Sequence, residues 1–243
     1  MFTRYATTPV FRTERARNRP ALVVAVMLFA VAATAIFAPA AEPAAAHGNT
    51  PLKVRFHQVH AVEESDGLGS DEIYVVFFIA DLSGLVPVGR TVRTEIFQDM
   101  DTGERRTRTV PHLWGGAAGA PLPNADNLII LGAVMENDGS DAGEVVVTVQ
   151  GLMIANLIGA VAPGRTRADI VADLRTAMNN ALDVAAFASA PLNPDDRLGG
   201  ATEFRLTHAN LDSAAAGVPV ELTQRFRDNG EDATYRVTIR ITN

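Results

Sequence analysis

The chain has 243 residues, 21 of them basic and 28 acidic, and no cysteine. This excludes disulfides, a lipid-modified cysteine and a thiol nucleophile. The formal net charge is −7, and residues 1–40 hold five of the basic residues and one of the acidic, so the remainder carries −11 and no basic stripe to neutralise phosphates, which argues against a nucleic-acid partner.

Arg4, Arg12, Arg15, Arg17 and Arg19 precede the uncharged run ALVVAVMLFAVAATAIFA, and a small-residue stretch follows. Basic, then apolar, then small is the order of an export signal, and Ala38 with Ala40 supplies an A-x-A cleavage pattern. The alternative is an uncleaved anchor, because the run is almost long enough to span a bilayer. The expected organisation is a signal peptide over 1–40, a flexible linker over 41–50 and one domain over 51–243. The expected location is extracytoplasmic, secreted or in the cell envelope.

Strand patterns dominate residues 51–150. Leu52, Val54 and Phe56 alternate with Lys53, Arg55 and His57, the pattern of a half-buried strand. IYVVFFIA at 73–80 is continuously apolar and reads as a strand buried on both faces. TVRTEIF at 91–97 is a further candidate, with QDMDTGERR turning the chain into a hairpin closed by RTRTV. LIILGAVM at 128–135 and EVVVTVQ at 144–150 complete the set. GLMIANLIGAV at 151–161 fits a short helix or a buried strand.

The period then changes. Thr166 and Asp169 fit a capping box, and Ile170, Leu174, Met178, Leu182 and Ala185 recur on one helical face. Residues 204–216 fit a helix, although FRLTH fits a strand as well. VELTQRF and YRVTIRITN end the chain as strands around the turn pair Asn229-Gly230. The predicted fold is mainly β, an antiparallel β-sandwich with a helical insertion or covering helix at about 151–190. The last strands are expected to complete the first sheet system.

Four loops are acidic and rich in glycine: EESDGLGSDE at 63–72, QDMDTGE at 98–104, ENDGSDAGE at 136–144 and NPDDRLGG at 193–200. If they meet at one end of a sandwich, their carboxylates repel one another unless a cation joins them. A hard cation such as calcium takes six to eight oxygens from such loops. Ordinary solvated turns have the same composition.

Leu52 to Val62, then Asp66, then Ser70-Asp71-Glu72-Ile73-Tyr74-Val75 resembles the first calcium loop of C2 domains. Leu128 to Met135, Glu136-Asn137-Asp138, Asp141 and Gly143 resemble the third. The likeness covers about residues 52–150; the segment after 150 has no place in a plain C2 domain. The resemblance implies a C2-like β-sandwich that binds calcium, with Asp66 and Asp71 as first-loop ligands and Glu136, Asp138 and Asp141 as third-loop ligands. Asp195-Asp196-Arg197-Leu198-Gly199 also resembles the end of a third loop, which adds Asp195 and Asp196 to the metal set.

Other chemistry finds less support. Asp101-Thr102-Gly103 is the aspartic-protease tripeptide, but Glu104 follows it where that family has Ser or Thr, and a hairpin tip explains it better. His57 and His60 are expected on opposite strand faces unless a bulge intervenes, and no H-E-x-x-H or G-x-S-x-G is present. Trp114, the single tryptophan, stands in a long Gly- and Pro-rich loop and either plugs the core or anchors a partner. The leading expectation is therefore a non-enzymatic exported protein that binds calcium for structure or for recognition of a protein or surface partner. Membrane contact would come only through an uncleaved signal segment or by calcium-dependent docking. A metal-independent envelope or secreted interaction protein is the alternative, and a carboxylate-dependent hydrolase is a third.

Overall fold

The computed structural model describes residues 47–64, 71–138, 141–189, 195–227 and 233–243. The expected signal segment, Asp66 and the Asn229-Gly230 turn lie outside the described residues. Among the described residues the fold is mixed α/β, with two antiparallel sheets and three helices.

The first sheet is built on β1 (Pro51–Glu63). β11 (Thr234–Thr242) pairs along one side of it, and β10 (Val220–Arg227) pairs with β11, so the C-terminal strands do complete the sheet that the first strand begins. The other side of β1 is covered in pieces by β5 (Arg105–Thr107), β6 (His112–Trp114) and β7 (Ala120–Pro121). Short edge strands of this kind leave little continuous edge open to another chain.

The second sheet is built on β2 (Asp71–Asp81) and β8 (Leu128–Glu136), paired from Ile73↔Glu136 to Asp81↔Leu128. β3 (Val88–Arg93) and β4 (Phe97–Met100) share the outer side of β2, and β9 (Arg197–Glu203) pairs with β8. The hairpin expected between TVRTEIF at 91–97 and RTRTV at 106–110 does not form. β4 joins the second sheet and β5 the first, so QDMDTGERR carries the chain between sheets, with Asp99 and Gly103 at φ 52° and 86°. Asp101, Thr102 and Gly103 are exposed at that turn, which suits a connector and not a paired catalytic aspartate.

Residues alternate between two hydrophobic clusters because strand side chains alternate in direction. Ile73, Val75, Phe77 and Ile79 of β2 join Leu52, Val54 and Phe56 of β1 in one cluster that draws on both sheets. The Phe56 and Phe77 rings lie 6.2 Å apart. Tyr74, Val76, Phe78 and Ala80 belong to the second cluster, with α1 (Ala142–Ala160) and α2 (Arg167–Ser189). Both faces of β2 are thus covered, as its unbroken apolar sequence requires.

Residues 144–150 are helical, contrary to the strand expected there. The β-branched run favours a strand locally, but Val145, Val149, Met153 and Leu157 fall one turn apart and are buried. Asp141 caps the helix, accepting from the N–H groups of Gly143 and Glu144. A continuous apolar stripe with a cap outweighs a propensity difference of a few tenths of a kcal/mol per residue, roughly the scale involved. α2 follows its sequence pattern. Ile170, Leu174, Met178, Leu182 and Ala185 are buried, and the Thr166 hydroxyl and the Asp169 carboxylate lie 2.7 Å apart in the predicted box.

α3 (His208–Ala215) is capped by Thr207 in a reciprocal bond with Asn210. Its Asp212 carboxylate lies 2.7 Å from Nδ1 of the buried His47, fixing the chain just before β1. Trp114 packs half-buried against the first cluster, and its indole N–H donates to the Ala120 carbonyl at 3.3 Å. This is the plugging role.

Candidate functional site

Three strand ends meet where the acidic loops begin: the start of β2, the end of β8 and the start of β9. Antiparallel pairing brings Ile73 beside Glu136, and Met135 beside Arg197. The chain segments beyond those pairs are therefore neighbours as well. The Glu136 N–H donates to the Asp196 carbonyl at 2.8 Å, and the Asn137 N–H donates to the Glu72 carbonyl at 2.6 Å. Backbone bonds thus tie segments some 60 residues apart in sequence into one acidic end.

Two of its carboxylates are buried. Asp71 and Asp195 are 3% and 4% exposed, and a buried carboxylate needs donors aimed at it. The Tyr235 hydroxyl donates to Asp71 Oδ2. The Tyr74 hydroxyl donates to Asp195 Oδ2 at 2.7 Å, and the Asp138 N–H donates to Asp195 Oδ1 at 3.1 Å. Glu72 adds a weaker link, its carboxylate accepting from the Asn137 amide at 3.4 Å.

The tyrosines register the charge around them. Burial chiefly, then the bond to Asp195 and the charge of that carboxylate, push the Tyr74 phenol well above its ordinary value, with Arg93 opposing. Burial again leads for Tyr235, followed by the bond to Asp71 and the charges of Asp71, Glu136 and Glu64. Both phenols therefore remain protonated donors at any ordinary pH. Asp71, Glu136 and Glu64 all act on one hydroxyl, which locates three carboxylates in a single neighbourhood.

The expected ligands are distributed unevenly. Asp71, Glu136, Asp138, Asp195 and Asp196 come to this end, and Asp66 lies outside the described residues. Asp138 and Asp196 are exposed, and Glu136 is half-buried. Asp141 is exposed and its Oδ1 is engaged as the cap of α1. Among the described residues, no group of three or more His, Asp or Glu side chains is disposed to hold a metal ion.

Sequence reading missed Tyr235, Glu64, Glu72 and Asn137. Tyr235 opens a strand just after the acidic turn RDNGEDA, and that position next to a predicted acidic end was the available signal. Tyr74 was expected as a core residue at the rim of the loop, and it is buried with its hydroxyl on Asp195.

The histidines do not form a comparable site. β1 changes register between Phe56 and Gln58, so the bulge that could bring His57 and His60 to one face is present. Even so, His57 contacts Arg240 and Glu221, while the charges of Arg105 and Arg236 act on His60. Burial first, then these arginines, lowers both imidazoles from their ordinary value. Cationic neighbours of this kind oppose metal binding rather than favour it.

No family model, curated protein or solved structure matches the chain.

Proposed function

We propose that the chain is an exported, non-enzymatic β-sandwich of C2-like character that takes up calcium at its acidic end, for structure or for recognition of a partner. The sandwich reading is supported by the single hydrophobic cluster drawn from β1 and β2, with the helices acting as a cover over the second sheet. Export is supported by the basic–apolar–small order of residues 1–40.

One observation carries the cation reading. Asp71, Glu136, Asp138 and Asp195, separated by up to 124 positions, are gathered at one end, and two are buried with tyrosine hydroxyls fixing their orientation. Burying carboxylates costs free energy, and grouping like charges costs more. A divalent cation offsets both. Asp71 and Asp195 would supply the rigid oxygens, with Asp66, Glu136, Asp138 and Asp196 contributing from the flanking loops. Loops rich in carboxylate and carbonyl oxygen suit calcium, which takes more oxygens than octahedral magnesium.

Calorimetry on chelated, purified protein tests this reading. Calcium should give heat and raise the unfolding midpoint by mass action, and magnesium should do so less. Asp195→Asn should reduce the calcium-induced rise. If neither ion at millimolar concentration gives heat or shifts unfolding, the acidic end does not bind a cation. The metal-independent interaction protein would then be the better reading, and one observation already favours it: both buried carboxylates have tyrosine partners without any ion.

A further inference from the structure

The outer face of the first sheet opposes the charge of the chain around it. Strand side chains alternate in direction. Val54, Phe56 and Val59 of β1 and Val237, Ile239 and Ile241 of β11 enter the cluster shared by the two sheets. The charged residues between them point the other way and belong to neither cluster. Residues 53–60, 105–107, 220–225 and 236–242 hold a single carboxylate, Glu221, although the chain after residue 40 carries −11. No run of basic residues marks this face in the sequence, because register assembles it from four strands.

The outward residues line up in rows. Arg105 pairs with His60, His60 with Arg236, and Arg236 with Arg225, so one row crosses β5, β1, β11 and β10 without an acid. Arg240 stands four residues farther along β11, about 13 Å away, with Arg55 on one side and Glu221 on the other. Between these rows runs a line of hydroxyls and one amide: Thr107, Gln58, Thr238 and Thr223. Glu63, opposite Thr234, marks where the acidic end begins.

Like charges set directly opposite on neighbouring strands destabilise a sheet. Glu221 pairs with Arg240 and contacts His57. Among the described residues no carboxylate pairs with Arg105, Arg225 or Arg236, and all three are exposed. Their field reaches inward: burial first, then the charges of Arg105 and Arg236, lowers the His60 imidazole from its ordinary value. Cations held in register without partners are the footprint of an anionic ligand.

The surroundings define that ligand. The three rows carry no Phe, Tyr or Trp on which a nucleic-acid base could stack, and no aliphatic side chain to enter a bilayer. A DNA duplex or an anionic lipid surface is broad, and would also meet the negative charge that surrounds the face. A linear polysaccharide is narrow enough to lie within the rows. Arginine forks suit its sulfates or carboxylates, and the threonine row suits its hydroxyls. We propose that the outer face of the first sheet binds a linear anionic polysaccharide through Arg55, Arg105, Arg225 and Arg236, without calcium. The choice of an extracellular polymer rests on the export proposed above, whereas the binding is a property of the folded chain and is measured on purified protein.

Heparin, a linear sulfated polysaccharide, is the probe, titrated calorimetrically in EGTA. The chain from Ala41 onward contains every residue of both core clusters and is the form to use. Saturable heat is expected, with an affinity that falls as salt rises. Arg225→Gln with Arg236→Gln should weaken affinity about tenfold or more, while the unfolding midpoint holds or rises as repulsion is relieved. Arg165→Gln with Arg205→Gln removes the same charge from residues paired with Asp173 and Asp126 and should leave affinity as it was. Absence of heat would overturn the proposal. So would equal weakening by the two double variants, which would reduce the effect to net charge. Binding that appears only with calcium would overturn it and assign the contact to the acidic end. Duplex DNA bound more tightly than heparin would give the face to a nucleic acid instead.

Discussion

The Tyr74 hydroxyl donates to Asp195 Oδ2 at 2.7 Å, joining residues 121 positions apart through a buried bond. Tyr74 is fully buried on the helix-covered face of the second sheet, so its ring is core and only its tip is polar. Tyr74→Phe keeps the ring and removes the hydroxyl that donates to Asp195 Oδ2. The expected loss is about 1–3 kcal/mol in urea unfolding. In a double-mutant cycle with Asp195→Asn, non-additivity should reveal the coupling. Additive losses would show that the bond contributes nothing as a pair.

Asp141 separates helix capping from cation binding. Its carboxylate accepts from the Gly143 and Glu144 N–H groups, so Asp141→Ala should cost about 1 kcal/mol. The calcium-induced rise in unfolding midpoint should survive this change. Loss of that rise would return Asp141 to the ligand set that the C2 resemblance implies.

Gly132 lies in β8, and a Cβ there would meet the Phe204 ring at 2.7 Å and the Phe77 ring at 3.3 Å. Those rings already pack at 5.9 Å between centroids inside the first cluster. Gly132→Ala should therefore destabilise by about 1–3 kcal/mol through overpacking. Phe204→Leu in the same chain should recover part of the loss, as followed by thermal unfolding.

Stability should fall in alkali. In the unfolded chain Tyr74 and Tyr235 ionise near their ordinary value of 10.0, while in the folded protein both are held higher, mainly by burial and then by Asp195 and Asp71. Above that pH the folded form keeps protons that the unfolded form has released. This contribution is therefore complete below about pH 10 and declines as pH rises toward the folded values. Urea midpoints measured from pH 8 to 11 should drop above 10, and less steeply in Tyr235→Phe. An identical slope in the variant would remove Tyr235 from the account.

β1, β2, β8, β10 and β11 were legible because alternation or unbroken apolarity states how many faces a strand buries. α2 was legible from its Thr166–Asp169 box and its stripe from Ile170 to Ala185. α1 was misread because Val145, Val146, Val147 and Val149 favour a strand over any short window, and its helical period emerges only with Met153 and Leu157. The convergence of Asp71, Glu136 and Asp195 was foreseen only on the condition that the loops share an end. What was not legible is which donor each carboxylate would find. The Tyr235–Asp71 and Tyr74–Asp195 pairs depend on the register of strands far apart in sequence, and no local pattern encodes that register.

One set of β2 side chains packs in the cluster it shares with β1 and the other in the cluster it shares with the helices, and this has a consequence for synthesis. IYVVFFIA has strong strand preference, no charge, no proline and no glycine, the composition of a segment that self-associates when bare. Its main partner, β8, begins at Leu128, and the helices that hide Phe78 follow only from Ala142 and Arg167. A chain emerging from the ribosome therefore presents this strand well before the residues that protect it exist in folded form. The order of elements along the chain sets how long that exposure lasts, and a chaperone that holds the segment would shorten it.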